Sequence, residues 1–210
     1  LLDDPHGGAH QAPYPWRGRI TCHPAPGQPG STDRSANARD QVAAFCGEAE
    51  ITDFSIGGTR VAFHGDDQGY RRMVLHYALL AQAAGGVDGF LIGSEFRGLT
   101  TVRDGADGFP FVEQLATLAG EGRGGLGAST EITYGADWSE YFGYHPQDGS
   151  GDVHFHLDTL WASDAIDAVG IDNYMPLSDW RDDDLTRANA DGFLTADDPE
   201  GLRRSVTRGE

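Results

Sequence analysis

The sequence has 210 residues with 15 basic and 33 acidic side chains, so its formal net charge is −18, and every basic residue is Arg. The absence of lysine excludes chemistry that needs an ε-amine, such as Schiff-base catalysis and the lysine of a phosphate-binding loop. The acidity argues against nucleic acid and anionic membranes as partners, because both attract basic surfaces. The 21 aromatic residues, 4 Trp, 7 Tyr and 10 Phe, indicate a folded protein, and 30 Gly indicate many loops.

The two cysteines are too few for a disulfide-stapled scaffold and lack the spacing of a zinc site. We therefore expect Cys22 and Cys46 to be buried and unbridged. No run of about 20 apolar residues predicts a membrane span, and no signal peptide is visible. The chain begins at Leu1 without Met, which suggests a piece of a longer polypeptide.

The first part of the chain, residues 1–48, is predicted to be a Pro- and Gly-rich loop region with a strand-like run at 17–22 and one short helix at 35–45. The remainder, 49–210, shows hairpin, helical and strand patterns in turn. The predicted elements there are a Gly-Gly hairpin at 53–63, helices at 70–84, 111–121 and 157–162, and strands at 87–93, 131–136 and 166–171. The glycines from 120 to 125 predict a break after the second of these helices. Repeated helix-then-strand order predicts right-handed crossovers and a parallel sheet.

Polar and aromatic residues follow each of the three predicted strands. Glu95 follows the first, Asp137 and Trp138 the second, and Asp172, Asn173 and Tyr174 the third. In a (β/α)8 barrel such strand ends converge on one mouth, where active sites are built. A doubly wound sheet would also place ligands there, but no GxGxxG follows any of these strands. Residues 49–210 are therefore interpreted as the central βα units of one TIM-barrel-like α/β domain.

Glu95 is the candidate catalytic residue, because an apolar strand delivers its carboxyl group to the rim. A glycosidase needs a carboxyl group there to protonate the leaving oxygen. The alternative is an acid that pairs with Arg97 or Arg103 and only fixes the loop.

The other rim residues suit sugar binding, because carboxylates and amides bind hydroxyl groups and aromatic rings stack on pyranose faces. The candidates for substrate binding are Asp137, Trp138, Asp172, Asn173, Tyr174 and Trp180. The alternative for the aromatic members is ordinary packing. His154 and His156 share a face if extended, but two ligands without a third are a weak metal signal. We predict no metal and no cofactor.

Several long segments resemble the glycoside-hydrolase TIM-barrel-like domain of the gene transfer agent baseplate protein, the "megatron" or host-specificity protein of phage-like tails. The segments that carry this resemblance are 14–22, 70–77, 89–101, 134–143 and 169–180. The resemblance implies a retaining-glycosidase relative in which the acid/base Glu after the fourth barrel strand corresponds to Glu95. The nucleophilic Glu expected after the seventh strand has no counterpart before Glu210. The chain is therefore expected to hold an incomplete barrel segment.

The resemblance also implies a setting, in the tail baseplate of a phage-like particle assembled in the cytoplasm. The expected partners are a cell-envelope polysaccharide and other tail or baseplate proteins, with no direct nucleic acid contact and no membrane insertion. The expected function is glycoside hydrolysis with Glu95 as general acid/base. The alternative is a non-catalytic module that binds carbohydrate or braces the baseplate, because a fold does not fix a function.

Overall fold

The computed structural model describes residues 16–174 and 192–208. The chain divides into two compact units, Leu1–Asp172 and Asn173–Glu210. The first unit holds, in chain order, α1 (Ala36–Cys46), β1 (Phe54–Gly57), β2 (Arg60–Phe63), α2 (Tyr70–Ala83), β3 (Gly89–Ser94), α3 (Arg97–Thr100), α4 (Pro110–Leu126), β4 (Glu131–Asp137), α5 (Asp158–Trp161) and β5 (Gly170–Asp172). The second unit holds α6 (Pro199–Arg208), where Arg204 lies 5.4 Å from the centre of the Phe193 ring.

The central element of the first unit is a three-stranded parallel sheet in the order β3, β4, β5. α3 and α4 connect β3 to β4, and α5 lies between β4 and β5, which confirms the predicted helix-and-strand alternation and the parallel pairing. The described residues also form the β1–β2 hairpin but no closed barrel. A mixed α/β architecture is thus confirmed, and a complete (β/α)8 barrel is not shown.

One face of β4 packs against helices. Ile132, Tyr134 and Ala136 on this face are fully buried, because alternate residues of a strand point to the same side. They belong to a core shared with Leu75 of α2 and Leu115 of α4. Leu91 of β3, the register partner of Thr133, lies on the opposite face of the sheet and is 54% exposed.

α4 does not break at its glycines, so the predicted end at Glu121 is wrong. The helix continues to Leu126. A Cβ on Gly125 would lie 2.9 Å from Ile51 Cδ1 and 3.5 Å from Leu79 Cδ2, so a glycine is what allows these side chains to pack against the helix. Tertiary packing therefore outweighs the poor helix propensity of glycine, about 1 kcal/mol per residue.

The start of the described chain also departs from expectation. Arg17–Arg19 form a single 3-10 turn where the sequence predicted a strand-like run. The hairpin is present, but Gly57 pairs with Arg60, so the turn lies one residue later than the Gly-Gly pair predicted. Cys22 and Cys46 are buried and unbridged, as predicted.

Candidate functional site

Three carboxylic acids lie at one edge of the parallel sheet. Glu95 directly follows β3, Asp137 ends β4, and Asp172 ends β5. Asp137 and Asp172 are register partners in neighbouring strands, and the Glu95 amide donates to the Gly135 carbonyl at 2.8 Å. The carboxyl ends of parallel strands thus bring together acids that are far apart in the sequence.

The backbone at Glu95 is strained. The register between β3 and β4 shifts by one residue between Leu91 and Ser94, which is a β-bulge. Glu95 itself has φ 55°, in the left-handed region. A side chain with a Cβ is held there at a cost of about 1–3 kcal/mol, and such residues cluster at functional sites. Bulges at barrel rims re-aim side chains in the same way.

Glu95 is nearly buried, at 7% exposure, and its polar partners come from the start of the described chain. The Trp16 indole donates to Oε2 at 2.9 Å, and the Arg17 guanidinium lies 3.1 Å from the same oxygen. The expected alternative pairing with Arg97 or Arg103 is not what the structure shows, because Arg103 pairs with Asp33 and Asp148 instead.

Two glycines permit the N-terminal segment, residues 16–22, to lie over the site. A Cβ on Gly18 would come within 2.5 Å of the Trp16 ring, and a Cβ on Gly98 would lie 2.7 Å from the Gly18 carbonyl. Arg17 fixes the segment further by donating to the carbonyl and the hydroxyl of Ser94, at 2.5 and 2.6 Å. Trp16 and Arg17 were not identified as site residues from the sequence.

Asp172 lies close enough to Glu95 for the two carboxyl groups to interact electrostatically. Partial burial, followed by the negative charge of Glu95, raises the pKa of Asp172, while Arg17 opposes the shift. Gly135 allows this position, because a Cβ there would lie 3.1 Å from Asp172 Oδ1. A carboxyl group beside another negative charge ionises less easily, which is the part of this rise that comes from Glu95.

Asp137 and Glu140 fix the turn after β4 through bonds from side chain to backbone. Asp137 Oδ1 accepts the Ser139 amide at 2.9 Å, and Glu140 Oε2 accepts the Asp137 amide at 3.0 Å. Sequence analysis did not single out Glu140, although the Asp-x-x-Glu spacing is the one that helix capping boxes use for the same return bond. Glu140 is 1% exposed, and its burial raises its pKa despite hydrogen bonds from Thr100 and Tyr134.

The predicted sugar-binding residues have different positions. Trp138 follows Asp137 and is 47% exposed, so its ring is available at the rim. Asn173 and Tyr174 are the first residues of the second unit, and Tyr174 is 70% exposed. Trp180 lies outside the described residues.

In the part of the chain that the structure describes, neither His154 nor His156 belongs to a cluster of metal-ligating side chains. Among the described residues, no group of three or more His, Cys, Asp and Glu side chains could hold a metal ion. Within the same ranges, no helix combines the length and the apolar character needed to cross a bilayer.

A family model, the GTA TIM-barrel-like domain, matches residues 68–210, more than half of the chain. This range contains Glu95, Asp137 and Asp172, whereas Trp16 and Arg17 precede it. No curated protein and no solved structure matches the sequence significantly.

Proposed function

Because the chain belongs to the GTA TIM-barrel-like domain family, we propose that it is a glycoside-hydrolase-like domain with Glu95 as general acid/base. The observation that carries this proposal is the convergence of Glu95, Asp137 and Asp172 at one edge of the parallel sheet, with Glu95 buried on a strained backbone. Protonation of a glycosidic oxygen requires a carboxyl group that is partly buried near other negative charges.

The chemical step needs Glu95 in its protonated form. As the glycosidic C–O bond breaks, Glu95 gives its one proton to the leaving oxygen and becomes a carboxylate. Arg17, 3.1 Å from Glu95, offsets the negative charge that develops. The water that replaces the leaving group returns a proton to Glu95.

Asp172 acts here through the interaction of its carboxyl group with that of Glu95. The two carboxyl groups of a retaining enzyme lie about 5–5.5 Å apart, and those of an inverting enzyme about 6.5–9.5 Å apart. Asp137, whose Oδ1 is engaged by Ser139, is a candidate ligand for substrate hydroxyl groups.

The proposed setting is the tail baseplate of a phage-like particle, with a cell-envelope polysaccharide as substrate and other baseplate proteins as partners. The family supports a gene transfer agent particle. The net charge of −18 is unfavourable for direct contact with DNA or anionic lipid.

A binding module without turnover is the second candidate function. The half-exposed Trp138 ring beside Asp137 favours it, because a flat aromatic surface retains a sugar with or without catalysis.

The test measures reducing ends released from purified envelope polysaccharide. General acid catalysis contributes about 100- to 10,000-fold, so Glu95→Gln should reduce turnover by at least about 100-fold and leave polysaccharide retention intact. Glu113→Gln is the matched control, because it makes the same chemical change at an exposed residue of α4 that pairs with Arg39. Equal turnover in wild type and Glu95→Gln would refute the assignment. Retention that depends on Trp138 without any release of reducing ends would identify a binding module.

A further inference from the structure

A second concave surface lies next to the Glu95 site. It is a cavity of about 1140 Å³ between the N-terminal segment and the chain from Ser139 to His156. Trp16 belongs to both sites, because its indole N–H bonds to Glu95 and its side chain lines the cavity. Nothing in the proposed acid step uses this cavity.

The lining of the cavity has a charge unlike that of the chain as a whole. It contains four of the 15 basic residues but only three of the 33 acidic ones. The four are Arg19, Arg34, Arg97 and Arg103. Four basic and three acidic residues give the lining a formal charge of 4 − 3 = +1, so the cavity repels an anion less than the average surface of a protein with a net charge of −18.

Two of these arginines have guanidinium N–H groups that find no partner among residues 16–174 and 192–208. Arg97 is exposed, and its side chain makes no ion pair or hydrogen bond within the described ranges. Arg103 is 4% exposed and bonds to Asp33 and Asp148, but its Nε lacks an acceptor. Guanidinium groups with free donors suit the planar oxygens of carboxylates and the oxygens of phosphates.

Aromatic and imidazole groups complete the wall. Phe142 is 48% exposed, and the Tyr144 ring lies 5.6 Å from the Arg103 guanidinium. His156 is 4% exposed, and no side chain in the described part of the chain bonds to either of its ring nitrogens. A buried polar group in this condition is costly, which is typical of a wall built to face a polar ligand.

We propose that this cavity binds an anionic sugar unit, carrying a carboxylate or a phosphate, of the glycan chain whose scissile bond reaches Glu95. The aromatic rings contact the apolar face of the sugar, and Arg97 contacts the acidic group. The substrate class is therefore an acidic polysaccharide. This inference rests on the proposed function, because it assumes that the adjoining site faces a glycan.

The test measures binding to oligogalacturonate and to its methyl ester by calorimetry, in the Glu95→Gln protein so that cleavage does not interfere. The acid form should bind at least tenfold more tightly than the neutral ester. A phosphomannan fragment compared with unphosphorylated mannan separates phosphate from carboxylate as the preferred group. If neither acidic glycan is preferred over its neutral counterpart, the proposal is wrong.

Arg97→Gln and Arg60→Gln form a matched pair of variants, because both residues are exposed and both changes remove one positive charge. Arg60 lies on β2, outside the cavity lining. Arg97→Gln should weaken binding of the acidic glycan five- to tenfold, and Arg60→Gln by less than twofold. Equal losses would show a general charge effect and overturn the site.

Failure of this proposal and failure of hydrolysis are distinguishable. Selective binding of the acidic glycan without release of reducing ends by the wild-type protein would retain the cavity site and refute the catalytic role. Release of reducing ends from neutral glycans as fast as from acidic ones would retain the catalytic role and refute the cavity site.

Discussion

The strained backbone at Glu95 predicts which of two variants, Glu95→Gly or Glu95→Ala, has the larger free energy of unfolding. At ordinary strand positions glycine is less stable than alanine by about 0.5–1 kcal/mol, because it loses more chain entropy on folding. At φ 55° the Cβ of alanine costs about 1–2 kcal/mol, which glycine avoids. Glu95→Gly should therefore be more stable than Glu95→Ala by about 0.5–1 kcal/mol.

The two variants differ only by the Cβ atom, because both lose the carboxyl group and with it the interactions with Trp16, Arg17 and Asp172. Urea unfolding measures the difference, and a difference of 1 kcal/mol corresponds to about 2–4 °C in Tm for a protein of this size. The control pair, Ser94→Gly and Ser94→Ala, lies on the preceding strand residue, where alanine should be the more stable. If Glu95→Ala equals or exceeds Glu95→Gly, the strain argument is wrong.

The pKa of Asp172 is higher in the native state than in the unfolded chain. As pH rises through the ordinary pKa of an Asp, the unfolded chain therefore loses a proton that the native state keeps, and the free energy of unfolding falls. Glu95→Gln removes the neighbouring charge, so an NMR titration should show the pKa of Asp172 moving down, and no movement would contradict the pairing. Burial lowers the pKa of His156 from 6.5 to about 4, so its protonation should destabilise the protein by about 3 kcal/mol as pH falls through this window. His156→Phe should abolish that part of the acid sensitivity, and an unchanged acid-unfolding midpoint would refute it. Gly98→Ala would place a Cβ 2.7 Å from a backbone carbonyl of the N-terminal segment, and overpacking of this kind costs about 1–3 kcal/mol. Gly120→Ala, on the open face of α4 with no atom within 4 Å, should instead stabilise by up to about 1 kcal/mol in the same unfolding assay.

Sequence patterns predicted the parallel sheet and its rim, because both depend on local signals, although β5 begins at Gly170 and not at the predicted Ile166. The three strands contain short apolar runs, and the carboxyl ends of these paired strands carry Glu95, Asp137 and Asp172. The shared position of these acids can be predicted from the two-residue periodicity of strands and from parallel pairing, because neither requires knowledge of distant contacts.

The parts that the sequence did not predict depend on tertiary packing. The helical glycines of α4 are explained only by the side chains of Ile51 and Leu79 that pack against Gly125. Trp16 and Arg17 reach Glu95 from 79 and 78 positions away, and no local pattern indicates where a loop segment will dock. The bulge in β3, just before Glu95, likewise has no turn signal in the sequence.

The docking of the N-terminal segment has a consequence for the order in which the protein folds. Residues 16 and 95 close a loop of 79 residues, and the entropy lost in closing a loop grows with its length. Helices and neighbouring strands close shorter loops and form first, so the segment covers a rim that already exists. Ribosomes synthesise Trp16 early, yet its indole meets Glu95 only after the strands have assembled. A chain still in synthesis therefore carries an uncovered acid, and the finished environment of Glu95 arises at the last stage of folding.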